Sequence, residues 1–332
     1  MAISVRDVAL RAGVSLGTVS NVLNNPEKVA TPTAQRVLAA IEELGFVRND
    51  AARQLRAGSS RSIGMLVLDV RNPFFTDVAR GAEEAALEAG LSVLLADSGE
   101  RADREAAHLD LFEEQRVRGV LVTPVGEDVG RLERLRERGI PVVLVDRLAS
   151  ADGFSSISVD DVAGGRMATE HLLSTGRRRL LFVGGPLDLG QVRDRLVGAR
   201  QAVSSVSDAT LDVLEVASLT MAEGVSAGRH LLGVEDRPDG IFAANDVVAL
   251  GLLQGVGMLG GLHIPEDIAL VGYDDIDFAS AAAVPVTSIR QPRDLIGRRA
   301  VELLLAEIEG GARGERIVFQ PELVVRESTK GR

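Results

Sequence analysis

The 332 residues, 45% hydrophobic and 26% charged, have the composition of a folded globular chain, long enough for two or three domains with cores of their own. Cysteine is absent, which excludes a disulfide framework, a thiolate metal site and a cysteine nucleophile. No apolar run approaches the roughly 18 to 20 residues of a membrane span, and the N-terminus has neither the basic start nor the long apolar stretch of an export signal, so the expected compartment is the cytoplasm.

The net charge of −11 is spread unevenly. Residues 1–60 hold seven Arg/Lys against five Asp/Glu, and the remainder holds 30 against 43, an asymmetry compatible with a nucleic-acid partner for the small part. Three short helices are predicted there. Ser4 with Asp7 can cap the first, Val5, Val8 and Ala9 recur at helical spacing, and Gly13 can end it in the left-handed conformation. Ser15 is a good N-cap for a second helix carrying Val19, Val22 and Leu23, which makes a helix-turn-helix pattern. The third starts at Thr31 with Pro32 in the first helical position, turns Val37, Leu38, Ile41 and Leu44 inward and stops at Gly45. Spacing alone would fit any small three-helix core.

The residues themselves narrow the reading. Val5-Arg6-Asp7-Val8-Ala9, Ala12-Gly13-Val14-Ser15, Thr18-Val19-Ser20, Val22-Leu23-Asn24 and Leu44-Gly45-Phe46 together resemble the headpiece of the LacI/GalR family of bacterial transcriptional regulators. Asn49-Asp50-Ala51-Ala52-Arg53-Gln54-Leu55 is similar to that family's hinge helix. The resemblance implies a headpiece over 1–47, a hinge helix and linker over 48–60, and an effector-binding and dimerisation domain over 61–332. It implies a second helix lying in the major groove, with Leu16, Gly17 and Asn21 facing base edges. Ser15, Thr18, Ser20 and Asn24 complete the expected DNA-binding set, the hydroxyls suiting phosphate contacts that fix register. Gly17 departs from members with a polar residue there, which narrows direct readout. Leu55 matches the leucine that wedges into the minor groove; its alternative is an ordinary buried leucine.

From residue 63 onward, strand candidates at 63–68, 91–96, 119–123, 141–145, 179–183, 211–216, 240–243 and 267–271 alternate with helical patterns such as 77–89 and 161–173. Such alternation predicts an α/β fold with parallel sheets covered on both faces. Eight strands exceed one compact half, so two doubly wound subdomains are expected, with the extended segment 154–159 as a crossing. The resemblance implies the two-lobed architecture of periplasmic binding proteins, with crossings near 154–160, 286–291 and 319–322. Ligands in such folds bind beyond the carboxyl ends of strands. Those ends carry Asp69 to Phe75, Asp146-Arg147, Asn245-Asp246 and Tyr273-Asp274-Asp275; singly each could be a helix cap, and together they suggest a cleft.

The family likeness assigns effector contacts to Phe74, Phe75, Asp146, Arg195, Asn245, Asp274 and Gln291. A guanidinium and a carboxylate can grip vicinal hydroxyls, amides complete the hydrogen bonds, and an aromatic ring covers C–H bonds. Leu219 stands where some members have an aromatic, which puts stacking from that side in doubt. Removing Arg195 or Asp274 is expected to abolish the effector response without unfolding the chain.

Two distractors fall away on context. Gly255-Val256-Gly257-Met258-Leu259-Gly260 spells the dinucleotide fingerprint, but a helix runs into it where a strand should. His108, His171, His230 and His263 lack metal-ligand spacing. A periplasmic sugar-binding protein would have no use for the headpiece, and a sugar-modifying enzyme would need catalytic residues that no motif supplies. The expectation is therefore a non-enzymatic repressor of carbohydrate-utilisation genes, without cofactor or metal, acting as a homodimer or tetramer on a pseudo-palindromic operator. Its effector remains open among sugars, phosphorylated sugars, nucleosides and a protein corepressor.

Overall fold

The computed structural model describes residues 3–46, 60–149, 153–257, 262–311 and 313–330. The chain divides into two compact units, Met1–Ser60 and Arg61–Arg332. The first contains α1 (Val5–Ala12), α2 (Leu16–Asn24), a 3-10 turn (Pro26–Lys28) and α3 (Thr31–Leu44). Ser4 and Asp7 form a reciprocal capping box at α1, Gly13 closes it at φ 64°, and Ser15 caps α2 by accepting the Thr18 N–H at 3.1 Å. Val8, Val19, Val22, Val37, Ala40 and Phe46 make the small core. Two details differ from the sequence expectation. Thr31 is already helical and Ala30 is the cap residue, its carbonyl accepting the Thr33 and Ala34 N–H groups. Leu38 is exposed, because the inward stripe of α3 runs through 37, 40, 41 and 44, the i, i+3, i+4, i+7 positions of one helix face.

The second unit has two lobes. The chain builds the first from β1 (Ser62–Val67), α4 (Pro73–Glu88), β2 (Ser92–Asp97), α5 (Ala102–Glu114), β3 (Val120–Val122), α6 (Gly130–Glu137), β4 (Val142–Val145) and β5 (Ser155–Val159). The second lobe follows with α7 (Asp161–Ser174), β6 (Arg179–Gly184), α8 (Gly190–Ser204), β7 (Thr210–Glu215), α9 (Met221–Leu232), β8 (Gly240–Ala243), α10 (Asp246–Gly257), β9 (Ala269–Asp274), α11 (Asp277–Ala281) and β10 (Thr287–Arg290). The chain then returns to the first lobe with α12 (Arg293–Ile308), packed on α4, and β11 (Arg316–Phe319), and ends in the second with β12 (Glu322–Val324). The sheet orders are β11-β5-β4-β3-β1-β2 and β12-β10-β9-β8-β6-β7. Every pairing is parallel except β10 with β12.

The two doubly wound sheets match the expected fold, but 154–159 is more than a crossing: β5 is a full strand between β4 and β11. Its three serines are buried, so it offers no apolar run to read. β10, β11 and β12 are three or four residues long with polar ends, too short for a periodicity. Central strands β3, β4, β8 and β9 are buried throughout, whereas the edges β2 and β7 expose residues. That contrast is the mark of a sheet covered on both faces. Among the described residues no helix is long and apolar enough to cross a membrane. The helix α10 runs directly into Gly255 and Gly257, the wrong context for a dinucleotide turn.

Candidate functional site

On the headpiece, α2 carries no charged residue. Leu16, Gly17, Asn21 and Asn24 are exposed along it, with Ser20 and Thr18 half-buried beside them. The Ser15 and Thr18 hydroxyls lie 2.9 Å apart at the helix start, and Asn24 Nδ2 donates to the Ser20 carbonyl at 2.8 Å. The seven expected residues are thus exposed or half-buried, and the helix begins at an N-terminus, where N–H groups favour anions. Leu55 lies outside the described residues.

In the two-lobed unit, parallel strands bring their carboxyl ends to one place. Asp69 and Asn72 follow β1, Asp146 follows β4, Asp161 opens α7 after β5, Asn245 follows β8, Asp274 ends β9 and Gln291 follows β10. Asp146 and Asp274 adopt φ 55° and 103°, left-handed values that cost a non-glycine residue of order 1 kcal/mol and recur where function demands them. Phe74 and Phe75 lie in the first turn of α4 as an edge-to-face pair, centroids 5.0 Å apart. Phe74, Phe75, Asp146, Arg195, Asn245 and Asp274 line one cavity between the lobes, together with Leu219. Gln291 reaches it indirectly, donating to Asp274 at 2.8 Å.

Arg195 is the hub, 4% exposed. Its Nε donates to Asp161 at 2.8 Å and its Nη1 to the Ala244 carbonyl at 2.7 Å, Asp274 lies 3.9 Å from Nη2, and the guanidinium stacks over the Tyr273 ring at 3.7 Å. Burial works against its charge, but Asp161, Tyr273, Asp274 and Asp146 together hold it more firmly protonated than usual. The helices α7 and α8 can place it there because Gly165 and Gly198 let their backbones touch. A Cβ on either would stand 2.0 Å from a carbonyl of the other helix.

Three hydrogen bonds join the lobes at the cavity: Asn72 Nδ2 donates to Asp274 at 2.9 Å, Gln191 Nε2 to Asp146 at 3.0 Å, and the Leu219 N–H to Glu100 at 3.4 Å. Burial raises the pKa of both aspartate carboxyls. Asp161 adds to the rise at Asp146, and Arg195 opposes it at Asp274. Asn245 caps α10 through Oδ1, which accepts the Val248 N–H at 2.9 Å. Two buried atoms on residues lining the cavity find no protein partner: Asp146 Oδ1 and Asn245 Nδ2. A buried polar atom left unpaired costs about 1 to 3 kcal/mol, and a ligand hydroxyl can both donate to the carboxyl oxygen and accept from the amide.

Sequence reasoning missed Asp161 and Gln191, and it placed Asn72 at a strand end without assigning it a contact. Asp161 had a signal, since it stands at the carboxyl end of 154–159, but that segment was not read as a strand. Gln191 had none, because a loop followed by a helix start does not reveal which side chain faces the other lobe.

Residues 4–49 match the family of bacterial regulatory proteins of the lacI type, and residues 169–329 match a periplasmic binding protein-like domain. The chain is 32% identical over 331 residues to the HTH-type transcriptional repressor PurR of Photobacterium profundum, covering 98% of both chains. It is 34% identical over 329 residues to the ribose operon repressor of Escherichia coli K12, covering 98% of this chain and 99% of the other. It superposes with TM-score 0.85 on the Lac repressor dimer bound to operator and the anti-inducer ONPF, at 27% identity over 99% of each chain. With both of its domains matched and full-length similarity to two repressors, the chain belongs to the LacI family of bacterial regulatory proteins.

Proposed function

We propose that this protein is a sequence-specific DNA-binding repressor of carbohydrate-utilisation genes, controlled by a small sugar-like effector held between the two lobes. The observation that carries the effector reading is the pair of unpartnered polar atoms, Asp146 Oδ1 and Asn245 Nδ2, on residues that line one cavity with Arg195 and Asp274. These groups suit vicinal hydroxyls, and Phe74 and Phe75 suit the C–H face of a sugar ring. The ribose operon repressor among its relatives supports the same class. Arg195, Asp161 and Asp274 fulfil a recognition role in this reading, as a salt-bridged binding network rather than an acid/base pair, and the chain is no enzyme. It acts in the cytoplasm, where its operator is.

DNA binding falls to α2, with Asn21 and Leu16 at the bases and Ser15, Thr18, Ser20 and Asn24 at the phosphates. One such helix offers few contacts, so the active form is a homodimer on a pseudo-palindrome, as for the Lac repressor dimer on its operator. Exposed apolar residues exist on both lobes, Leu94 and Leu95 on the edge strand β2 and Met221 and Phe278 on the second lobe, so a second copy has apolar surface to cover. Operator titrations at physiological salt test the whole reading. A palindromic site is expected to bind at least 10³-fold tighter than scrambled DNA, and a sugar is expected to change that affinity; equal binding of both DNAs overturns it.

A further inference from the structure

Outside the residues that line the cavity, the first lobe sets two charged side chains against the start of α8 in the second. Glu127 lies between β3 and α6, and Arg147 follows β4. The Arg147 guanidinium is seated on Gly190, the first residue of α8, so closely that a Cβ there would collide with Nη1. Glu127 Oε1 lies 2.7 Å from Nη1 of Arg193, one turn further along α8, and 3.6 Å from Arg147 Nη2.

We propose that Glu127, Arg147 and Arg193 form an electrostatic clasp that biases the chain toward the closed orientation of its lobes before any effector binds. The clasp goes beyond the effector reading, because its charges bridge the lobes whatever the cavity holds.

The contact joins strand ends that no crossing ties together. The chain passes between the lobes after β5, β10 and β11, whereas the clasp stands beyond β3 and β4 on one side and β6 on the other. A rotation about the crossings therefore parts these ends, and the clasp with them.

Arg147 fits its seat only with Glu127 beside it. The side chain is 12% exposed, and α8 starts without a side-chain cap, so a cation is placed where the helix dipole repels it. Among the described residues, Glu127 is the carboxylate that offsets it. Arg193, then Arg147, hold the Glu127 carboxyl below its ordinary pKa, so the anion is present at neutral pH. Gly190 fits the same account. Its φ is not left-handed, so the backbone does not demand glycine there; the guanidinium does.

Opening leaves nothing stranded. Asp194 lies 3.9 Å from Arg193 Nε within α8, and Arg147 and Glu127 regain water. An exposed ion pair shifts an equilibrium by about 5-fold at most, which suits a bias that an effector can strengthen rather than a lock. Apparent effector affinity scales with the fraction of chains already in the binding orientation.

The absence of cysteine allows spin labels to report the lobe separation, at Glu137→Cys on α6 and Gln201→Cys on α8, both exposed. Full-length labelled chain, diluted with unlabelled chain so that distances within one subunit dominate, is measured by pulsed dipolar spectroscopy without effector. A dominant short distance is expected at low salt. Glu127→Gln is expected to lower the closed-to-open ratio about 3- to 5-fold, and about 1 M NaCl to act the same way on the parent, since screening then reaches within about 3 Å. Gly190→Ala changes no charge and is expected to shift the ratio in the same direction by unseating Arg147; thermal melts verify the fold of each variant. A ratio unchanged by Glu127→Gln or by salt overturns the proposal, as does a parent chain that is mostly open at low salt. Were Gly190→Ala silent, Arg147 would have no part and the three-residue clasp would be refuted.

Discussion

Arg195 keeps its charge in the interior because Asp161 and a carbonyl accept its hydrogen bonds and an aromatic ring covers its face. That arrangement changes what an alanine variant reports. Arg195→Ala would strand Asp161 and Asp274 in a buried site, and breaking one half of a buried pair costs about 3 to 5 kcal/mol. Loss of fold stability is therefore expected alongside loss of effector response, contrary to the sequence expectation of a silent removal. Asp274→Asn is the cleaner probe: it keeps the shape, and burial already disfavours ionised Asp274. It is expected to weaken effector binding roughly 10- to 100-fold and, because an amide cannot accept from Asn72 on one side and Gln291 on the other, to cost about 1 to 3 kcal/mol of stability; complete loss of the folded state would make Asp274 a structural residue.

Glu100 gives the pH prediction. Its folded-state pKa, about 7, lies above the ordinary 4.5, so the folded protein holds this proton more tightly than the unfolded chain does. The associated stability is present below about pH 4.5 and is lost as pH rises to about 7. Glu100→Gln removes that loss. Melts between pH 4 and 8 are expected to coincide near the acid end, to diverge between about pH 4.5 and 7 and to stay apart above, the variant the more stable by on the order of 1 kcal/mol after solvent screening. Parallel curves would refute the linkage.

Elements set these residues in place through contacts that a local pattern does not announce. The α7–α8 crossing depends on Gly165 and Gly198, and an alanine methyl at 198 would stand 2.0 Å from the Val162 carbonyl. Gly198→Ala is expected to cost about 1 to 3 kcal/mol of stability, the usual penalty of overpacking, and to weaken effector binding with it, since Arg195 rides on α8. Melting and effector titration of this one variant check both effects; a neutral result in both would mean that the helices can separate without disturbing the site. The caps at Ser4, Gly13 and Ser15 were legible because capping chemistry is written in adjacent residues. The strand β5 was not, because its place in the sheet comes from β4 and β11 on either side.

For the molecule as a whole, the two-lobed unit is threaded by three crossings, after β5, after β10 and after β11, and the cavity is bridged by Asn72 to Asp274 and Gln191 to Asp146. An effector there can shift lobe orientation only by as much as it prefers one arrangement. The first lobe begins at β1, immediately after the segment that leads from the headpiece, so orientation has a covalent route to DNA binding. Coupling of about 1 to 3 kcal/mol is expected, a 5- to 150-fold change in operator affinity, and by linkage the operator must change effector affinity by the same factor. Titrating each ligand in the presence and absence of the other measures both factors; unequal values would break the two-state account.

By itself the sequence determined the three-helix headpiece, the alternation that makes two parallel sheets, and the carboxyl-end residues Asp146, Asn245 and Asp274, because caps, periodicity and strand ends are properties of neighbours along the chain. The family resemblance added Arg195 and Gln291 from motif positions. Only the tertiary structure decided that Arg195 is paired with Asp161, that Asn72 and Gln191 join the lobes, and that Glu100 from the β2 turn faces the same cavity. These pairings link residues between 34 and 202 positions apart in sequence. They are created by the three crossings that bring the carboxyl ends of the two sheets together, and nothing local to any one of the residues encodes its partner.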